Sequence, residues 1–521
     1  MRKIFLLITT LVAAFLFAGC SSPASSSGDT AYNKELELPH SESEWLFVLY
    51  MDADNNLNDT LWVDLYNVQS ALSDMMNYDG TPKNGYPSVK IVALWDGVIN
   101  HGLENQYINH SQAEIYELGP MEFTDQTRNL FYIEEETLQM SRWSKNLTKY
   151  APWLPYEPDM GDKSTLVNFL SWVHRHYSAN KTVLLLGNHG AGTEFETSSG
   201  GYNNYSWAPE ALQRSMCSDY TNGTGKLLTA TDIKKSIEKS GLRPDIIYMD
   251  CCLQGNVETA YILKGTADYL VTSANISQPN NLEQMLLYIN SYNTPKDFAR
   301  LIVKTYANRM YNRNITYAEN ENISCTSFYN AATYAVYDLD EDLQKQLYEA
   351  IDKLAFKLRF ESNNLFYKYI IQDPYSYSNC KGMAFPGTYL VLSDIGYFCM
   401  NIRNDNSVNY GTKSLAEEVI SLLDKIIITS WIGRKDEYSN HIFYAKNVPE
   451  LYIAENSDVF NEHDGQFGLT IVTQTFYNND KYNDTDLLTL YSYATGYSSN
   501  WGDLICYWNG INSNNHIYAN P

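Results

Sequence analysis

The chain has 521 residues, with 37 Lys and Arg against 61 Asp and Glu, a formal net charge of −24. Apolar residues make up 44% of it and charged residues only 19%, which suits a large folded core and excludes an intrinsically disordered chain. The acidity argues against nucleic acid as a partner, because phosphates are held by Lys and Arg.

In chain order, Arg2 and Lys3 precede an apolar run from Ile4 to Phe17. The run is shorter than the ~20 apolar residues that span a bilayer, and it has the shape of an export signal. Ala18-Gly19-Cys20 closes it and resembles a bacterial lipobox, in which the cysteine becomes the lipidated first residue. Residues 1–19 are therefore read as a lipoprotein signal peptide. Residues 20–44, rich in Ser at their start, are read as a flexible tether. The expected location is the bacterial cell envelope, periplasmic or surface-exposed, with Cys20 as the lipid anchor and only contact with the membrane. Cleavage removes two basic residues and no acidic one, so the mature chain is more acidic still. Many Tyr (43 residues), Asn and Ser agree with an extracytoplasmic protein. The eight Cys contain no Cys-x-x-Cys pair and do not form a disulfide scaffold in a chain this long.

From Trp45 the pattern alternates between strands and helices. Trp45–Met51 is a buried strand, and Leu61, Leu65, Val68 and Leu72 mark a helix capped by Asn58 or Asp59. Val89–Trp95 is a second buried strand, and Ala113–Leu118 a more exposed one. Ser164 opens a helix carrying Leu166, Phe169, Leu170 and Val173, before a third buried strand, Thr182–Leu186. Thr229 to Lys239 is a helix with a capping pair, Thr229 and Asp232, and a stop at Gly241. Ile246–Met249 is the fourth buried strand, Val257–Leu263 a helix and Tyr269–Thr272 the fifth strand. Apolar strands separated by amphipathic helices imply an α/β fold with a mostly parallel sheet covered on both faces. Beyond residue 331, Leu343–Leu358 and Leu415–Ile426 have helical spacing, while Gly468–Val472 and Leu487–Tyr493 read as strands. The chain divides into an α/β domain over 45–330 and a C-terminal α+β region over 331–521.

In parallel sheets, function collects beyond the carboxyl ends of strands. The third strand runs into Gly187-Asn188-His189-Gly190, and the fourth into Asp250-Cys251-Cys252-Leu253. Imidazole and thiol at neighbouring strand ends meet the requirement for a thiolate nucleophile with a base within reach. Gly190 lacks a Cβ, which lets a backbone N–H approach a reacting oxygen. Taken singly, a buried Cys or a loop His is more often structural, and only their joint occurrence points to catalysis.

These two motifs resemble the clostripain family of cysteine peptidases, which is related to caspases. Tyr50-Met51-Asp52-Ala53-Asp54-Asn55-Asn56-Leu57, Asp159-Met160-Gly161-Asp162, Asn256-Val257-Glu258-Thr259-Ala260-Tyr261 and Ala267-Asp268-Tyr269 resemble it as well. So, more weakly, do Asp394-Ile395-Gly396-Tyr397-Phe398 and Gly468-Leu469-Thr470-Ile471, and the resemblance covers roughly residues 45–505. It implies a caspase-like fold and hydrolysis of peptide bonds after Arg or Lys in protein or peptide substrates. Cys252 would be the nucleophile, His189 the acid/base, and the N–H groups of Gly190 and Cys252 the oxyanion hole. Asp250, two residues before the cysteine, would bind the basic side chain. Relatives that self-activate do so by cleavage between the His and Cys motifs. In this chain that points to Arg214 and Lys226, in the polar insert from Glu194 to Gly225. The chemistry needs no cofactor; calcium, a stimulator in the family, has candidate ligands in Asp52, Asp54 and Asp59.

The chain departs from the family in three places. Gly187-Asn188 stands where Trp-Asp is common, Cys251 replaces Ala, and no acid occurs in Ser273-Ala274-Asn275-Ile276-Ser277-Gln278-Pro279-Asn280. Strand alternation turns the Cys251 side chain into the core. These departures keep an alternative open, a catalytically silent surface lipoprotein that binds protein or glycan.

Overall fold

A computed structural model describes residues 37–55, 57–97, 112–121, 140–190, 216–217, 227–275, 277, 280–292, 294–318, 331–361, 390–435, 441–449, 459–460, 467–475, 500–502 and 504. Cys20, the segment before it, Arg214, Lys226 and the expected strand Leu487–Tyr493 lie outside them.

Strand β1 (Ser41–Ala53) is central. Its parallel neighbours are β2 (Val89–Gly97) on one side and β5 (Tyr177–Gly187) on the other, and β6 (Ile246–Asp250) and β7 (Tyr269–Thr272) extend the parallel run beyond β5. Beyond β2 come antiparallel β3 (Glu114–Glu117) and β4 (Lys145–Asn146). Beyond β7 the sheet continues through β8 (Ala331–Asp338), β10 (Ile427–Lys435), β11 (His441–Lys446) and β12 (Val459–Phe460), making eleven strands. A second, two-stranded sheet pairs β9 (Leu390–Asp394) with β13 (Thr470–Thr475).

The period-2 alternation along β1 sends Leu46, Val48 and Tyr50 to one face and Trp45, Phe47, Leu49 and Met51 to the other. On the first face pack α2 (Lys163–His176), α3 (Ala230–Ser240), α4 (Val257–Leu263), α7 (Glu341–Leu358), α8 (Ile395–Asn404) and α9 (Tyr410–Ile426). On the second pack α1 (Asn58–Met75), α5 (Leu282–Leu287) and α6 (Pro295–Ala318). Each fully buried Leu, Ile or Phe contributes ~1.5–3 kcal/mol, so both covered faces anchor the sheet. The α/β fold expected from the sequence is the one observed.

The local signals operate through identifiable atoms. Thr229 caps α3 by accepting the Asp232 N–H at 2.9 Å, and Gly241 ends it at φ +80°. Asp162 caps α2 through the Ser164 N–H at 2.7 Å. At α1 the cap differs from expectation: Leu57 holds the N-cap position with no side-chain cap bond, and Asn58 is the first helical residue. The strand expected to be exposed, β3, is buried instead. Its Glu117 is 8% exposed because Lys90 and Lys145, each at 2.9 Å, and the Tyr177 hydroxyl at 2.8 Å satisfy the carboxylate. Among the described residues, no helix is long and apolar enough to cross a membrane.

Candidate active site

The register of β5 on β6 builds the site. Gly187 lies opposite Asp250 in a parallel pair, so two residues further along each chain bring His189 and Cys252 to matching places on adjacent strand extensions. Neighbouring strands are ~4.8 Å apart, the spacing at which an imidazole and a thiol can interact. Gly190 closes the gap. A Cβ there would sit 2.1 Å from the Cys252 carbonyl oxygen and 2.9 Å from its nitrogen, so the glycine backbone packs directly on that of the cysteine. The Gly190 N–H acts on the Cys252 thiol itself.

The β5 end is fastened by Asn188, whose amide donates to the Asp52 carbonyl of β1 at 2.8 Å and whose side-chain oxygen accepts the His189 N–H. Gly190 also bridges Met216, which pairs with Leu228 on its other side through bonds of 3.0 and 2.8 Å.

The turn after β6 is fastened more densely, to the loop that follows β7. Leu253 N–H donates to Asn275 O at 3.1 Å and Gly255 N–H to Ser273 O at 2.8 Å. Asn280 N–H donates to the Asp250 carboxylate at 3.1 Å. Ser277 meets the sulfur: its N–H donates to Cys252 Sγ at 3.3 Å, with its hydroxyl 3.9 Å and its carbonyl 3.8 Å away. Leu253 itself sits at φ +63°, a left-handed conformation that costs a non-glycine residue ~1–2 kcal/mol. Backbone strain of this kind clusters at functional sites.

The two cysteines separate as the strand pleat requires. Cys251 is 3% exposed within the core that contains Met249 and Leu186, while Cys252 is half-buried at the surface of the turn. Burial pushes both thiols up; for Cys252 this is opposed by Ser277 and by the Gly190 N–H. Burial also holds His189 below its ordinary value, and in both groups it disfavours the charged form. Asp250 shares the opposite face with Tyr248. Its carboxylate accepts the Tyr334 hydroxyl at 2.8 Å as well as Asn280 N–H, and burial raises its pKa against the opposing pull of Tyr334, Asn280 and the Arg309 charge.

Asp52 and Asp54 are fully buried at the end of β1, and the Asp59 side chain lies outside the described residues. Among the described residues, no group of three or more His, Cys, Asp or Glu side chains is placed to hold a metal ion. No catalytic step is routed through a metal ion. Sequence patterns pointed to His189, Gly190, Asp250 and Cys252, but Ser277, Tyr334 and Asn280 carry no signal of their own. They stand out only once β7 and β8 are seen to flank the cysteine turn.

A strand-end thiol beside a histidine–glycine turn, in an α/β sheet of this topology, is the arrangement of a cysteine peptidase. The clostripain family model matches residues 49–508, and the chain belongs to the clostripain family of cysteine peptidases. It is 21% identical over 520 residues to clostripain from Hathewaya histolytica, covering 89% of this chain and 86% of that protein. Among solved structures it is similar to a secreted C11 cysteine protease from Bacteroides thetaiotaomicron, "iotapain", with 14% identity, a TM-score of 0.47 and coverage of 89% and 99% of the two chains. Another is an inactive zymogen C11 protease from Parabacteroides distasonis, with 14% identity, a TM-score of 0.49 and coverage of 88% and 97%.

Proposed function

We propose that this peptidase cuts peptide bonds after Arg or Lys through a Cys252–His189 dyad. The observation that carries the reading is the Gly187–Asp250 register, with the Gly190 backbone seated on Cys252. His189, neutral at rest, takes the S–H proton as sulfur attacks the scissile carbonyl. The N–H groups of Gly190 and Cys252 hold the oxyanion, and the C–N bond breaks as His189 returns the proton to the leaving amine. Water, deprotonated by His189, then hydrolyses the thioester and frees the thiol.

Asp250 supports a basic P1 residue. Tyr334 and Asn280 each donate one bond to its carboxylate, which has about four acceptor sites, so capacity remains for a guanidinium or ammonium. The loop after β7 supplies no second acid, so P1 selection would rest on this one carboxylate.

Self-cleavage in the insert is part of the same proposal. Met216 is bridged to Gly190, and Arg214 precedes it by two residues in the sequence. Lys226 directly precedes Leu227 and Leu228, the latter paired with Met216. Export and anchoring through Cys20 complete the proposal.

The test is turnover of Arg-, Lys- and Asp-terminated fluorogenic peptides by the full chain, with intact mass measured alongside. Cys252→Ala is expected to lower turnover by at least ~10³-fold and to leave the chain uncut. Loss of turnover in Cys251→Ala but not in Cys252→Ala would overturn the nucleophile assignment, and preference for Asp-terminated peptides would overturn the role of Asp250.

A further inference from the structure

We propose that Ser277 is a positioning residue for the nucleophile, its backbone N–H joining that of Gly190 to stabilise the Cys252 thiolate once the proton has left. The inference rests on Cys252 being the nucleophile. It starts from a three-point attachment between the loop after β7 and the turn after β6. Asn275 O takes the Leu253 N–H, Ser277 meets Cys252 Sγ, and Asn280 N–H reaches the Asp250 carboxylate. Ser277 is thus fixed from both sides by anchors on the turn that carries the thiol.

At the sulfur, one residue offers a partner for each protonation state. The Ser277 carbonyl, at 3.8 Å, accepts the S–H of the thiol. The Ser277 N–H, at 3.3 Å, donates to the sulfur and gains strength when the sulfur is charged. The hydroxyl at 3.9 Å is a weaker third contact. The Gly190 backbone packs on that of Cys252 from the β5 side, and its N–H lowers the thiol pKa alongside Ser277.

The titratable groups around the sulfur are His189 from the β5 end and Asp250 and Cys251 on its own turn. The facing residues of the β7 loop, Asn275, Ser277 and Asn280, carry no charge. Asp250 opposes the thiolate and burial disfavours a charged imidazole, while the Ser277 N–H, 3.3 Å from the sulfur, favours the thiolate. In this reading Ser277 does through its amide what an imidazolium does in an ion-paired dyad.

The test is site-resolved alkylation of Cys252 by iodoacetamide across pH, read by peptide mass spectrometry on the full chain. Ser277→Pro deletes the N–H. It is expected to move the alkylation midpoint up by about one pH unit or more, slowing the reaction about tenfold at pH 7. Ser277→Thr keeps every donor and is expected to retain the wild-type profile, and Ser277→Ala to slow alkylation less than about threefold. If Ser277→Pro does not fold by circular dichroism, an amide-to-ester replacement at residue 277, which removes only the N–H, reads the same midpoint. A wild-type profile in the folded Pro variant or in the ester overturns the proposal, as does a Ser277→Ala shift as large as theirs. Turnover of Cys252→Ala is measured in parallel. Retained turnover there would sink the nucleophile assignment, whereas an inactive Cys252→Ala with an unmoved Ser277 profile would sink the role of Ser277 alone.

Discussion

The two strand ends that carry the proposed dyad are held in different ways. The β6 turn is tied to the loop after β7 at Asp250, Cys252, Leu253 and Gly255, largely through main-chain atoms. The β5 end is held through the Asn188 side chain, the fit of Gly190 against Cys252 and the bridge from Gly190 to Met216. The cysteine half therefore tolerates side-chain changes as long as the backbone path survives, whereas the histidine half depends on residue identity.

The strongest way to break this asymmetry is Gly190→Ala. The added Cβ meets a carbonyl oxygen at 2.1 Å, and backbone must move. Turnover is expected to fall ~10²–10³-fold, as on loss of an oxyanion donor, and kcat/KM within threefold of wild type would show the close approach to be dispensable. Leu253 tests the other half. A β-branched Leu253→Val worsens the left-handed strain and is expected to lose ~1–2 kcal/mol in denaturant titration, while Leu253→Gly stays within ~1 kcal/mol of wild type. Equal stabilities for the two variants would deny that strain is stored there. Asn188→Ala removes one buried hydrogen bond to β1, for an expected ~1 kcal/mol of stability and roughly a fivefold loss of turnover. A loss confined to stability would mean that Asn188 braces the sheet without orienting His189.

The mildest probe is pH. A base must be neutral to accept a proton, and burial lowers the His189 pKa, so His189 stays competent below the ordinary histidine value of ~6.5. The acid limb of kcat/KM that reports His189 is expected below that value. A limb above it would contradict the neutral resting pair.

Much of this arrangement was legible in the sequence. The five parallel strands show as apolar runs because both faces are covered, and the His189 and Cys252 turns follow two of them directly. Legibility failed where partners are distant in the chain. Glu117 looked exposed because the lysines that bury it come from β2 and β4, and Asn58 looked like a cap because composition cannot fix a helix start to one residue. Tyr334 and Ser277 were silent for the same reason: an aromatic residue in a strand and a serine in a loop acquire their roles from what the sheet order places beside them.

The Gly255 that follows the nucleophile turn has one further consequence. A Cβ there would strike the Tyr337 hydroxyl at 2.5 Å, and Tyr337 in turn donates to Gly468 O, whose N–H is held by Asp394 at 2.7 Å. Thr333 likewise receives the Ala274 N–H at 2.9 Å. The platform under Cys252 is therefore assembled from segments that a ribosome delivers more than two hundred residues apart. When His189 and Cys252 have been made, Tyr337, Asp394 and Gly468 still lie ahead in the chain. Chain order thus separates the turn from the segment that supports it by most of the C-terminal half of the chain.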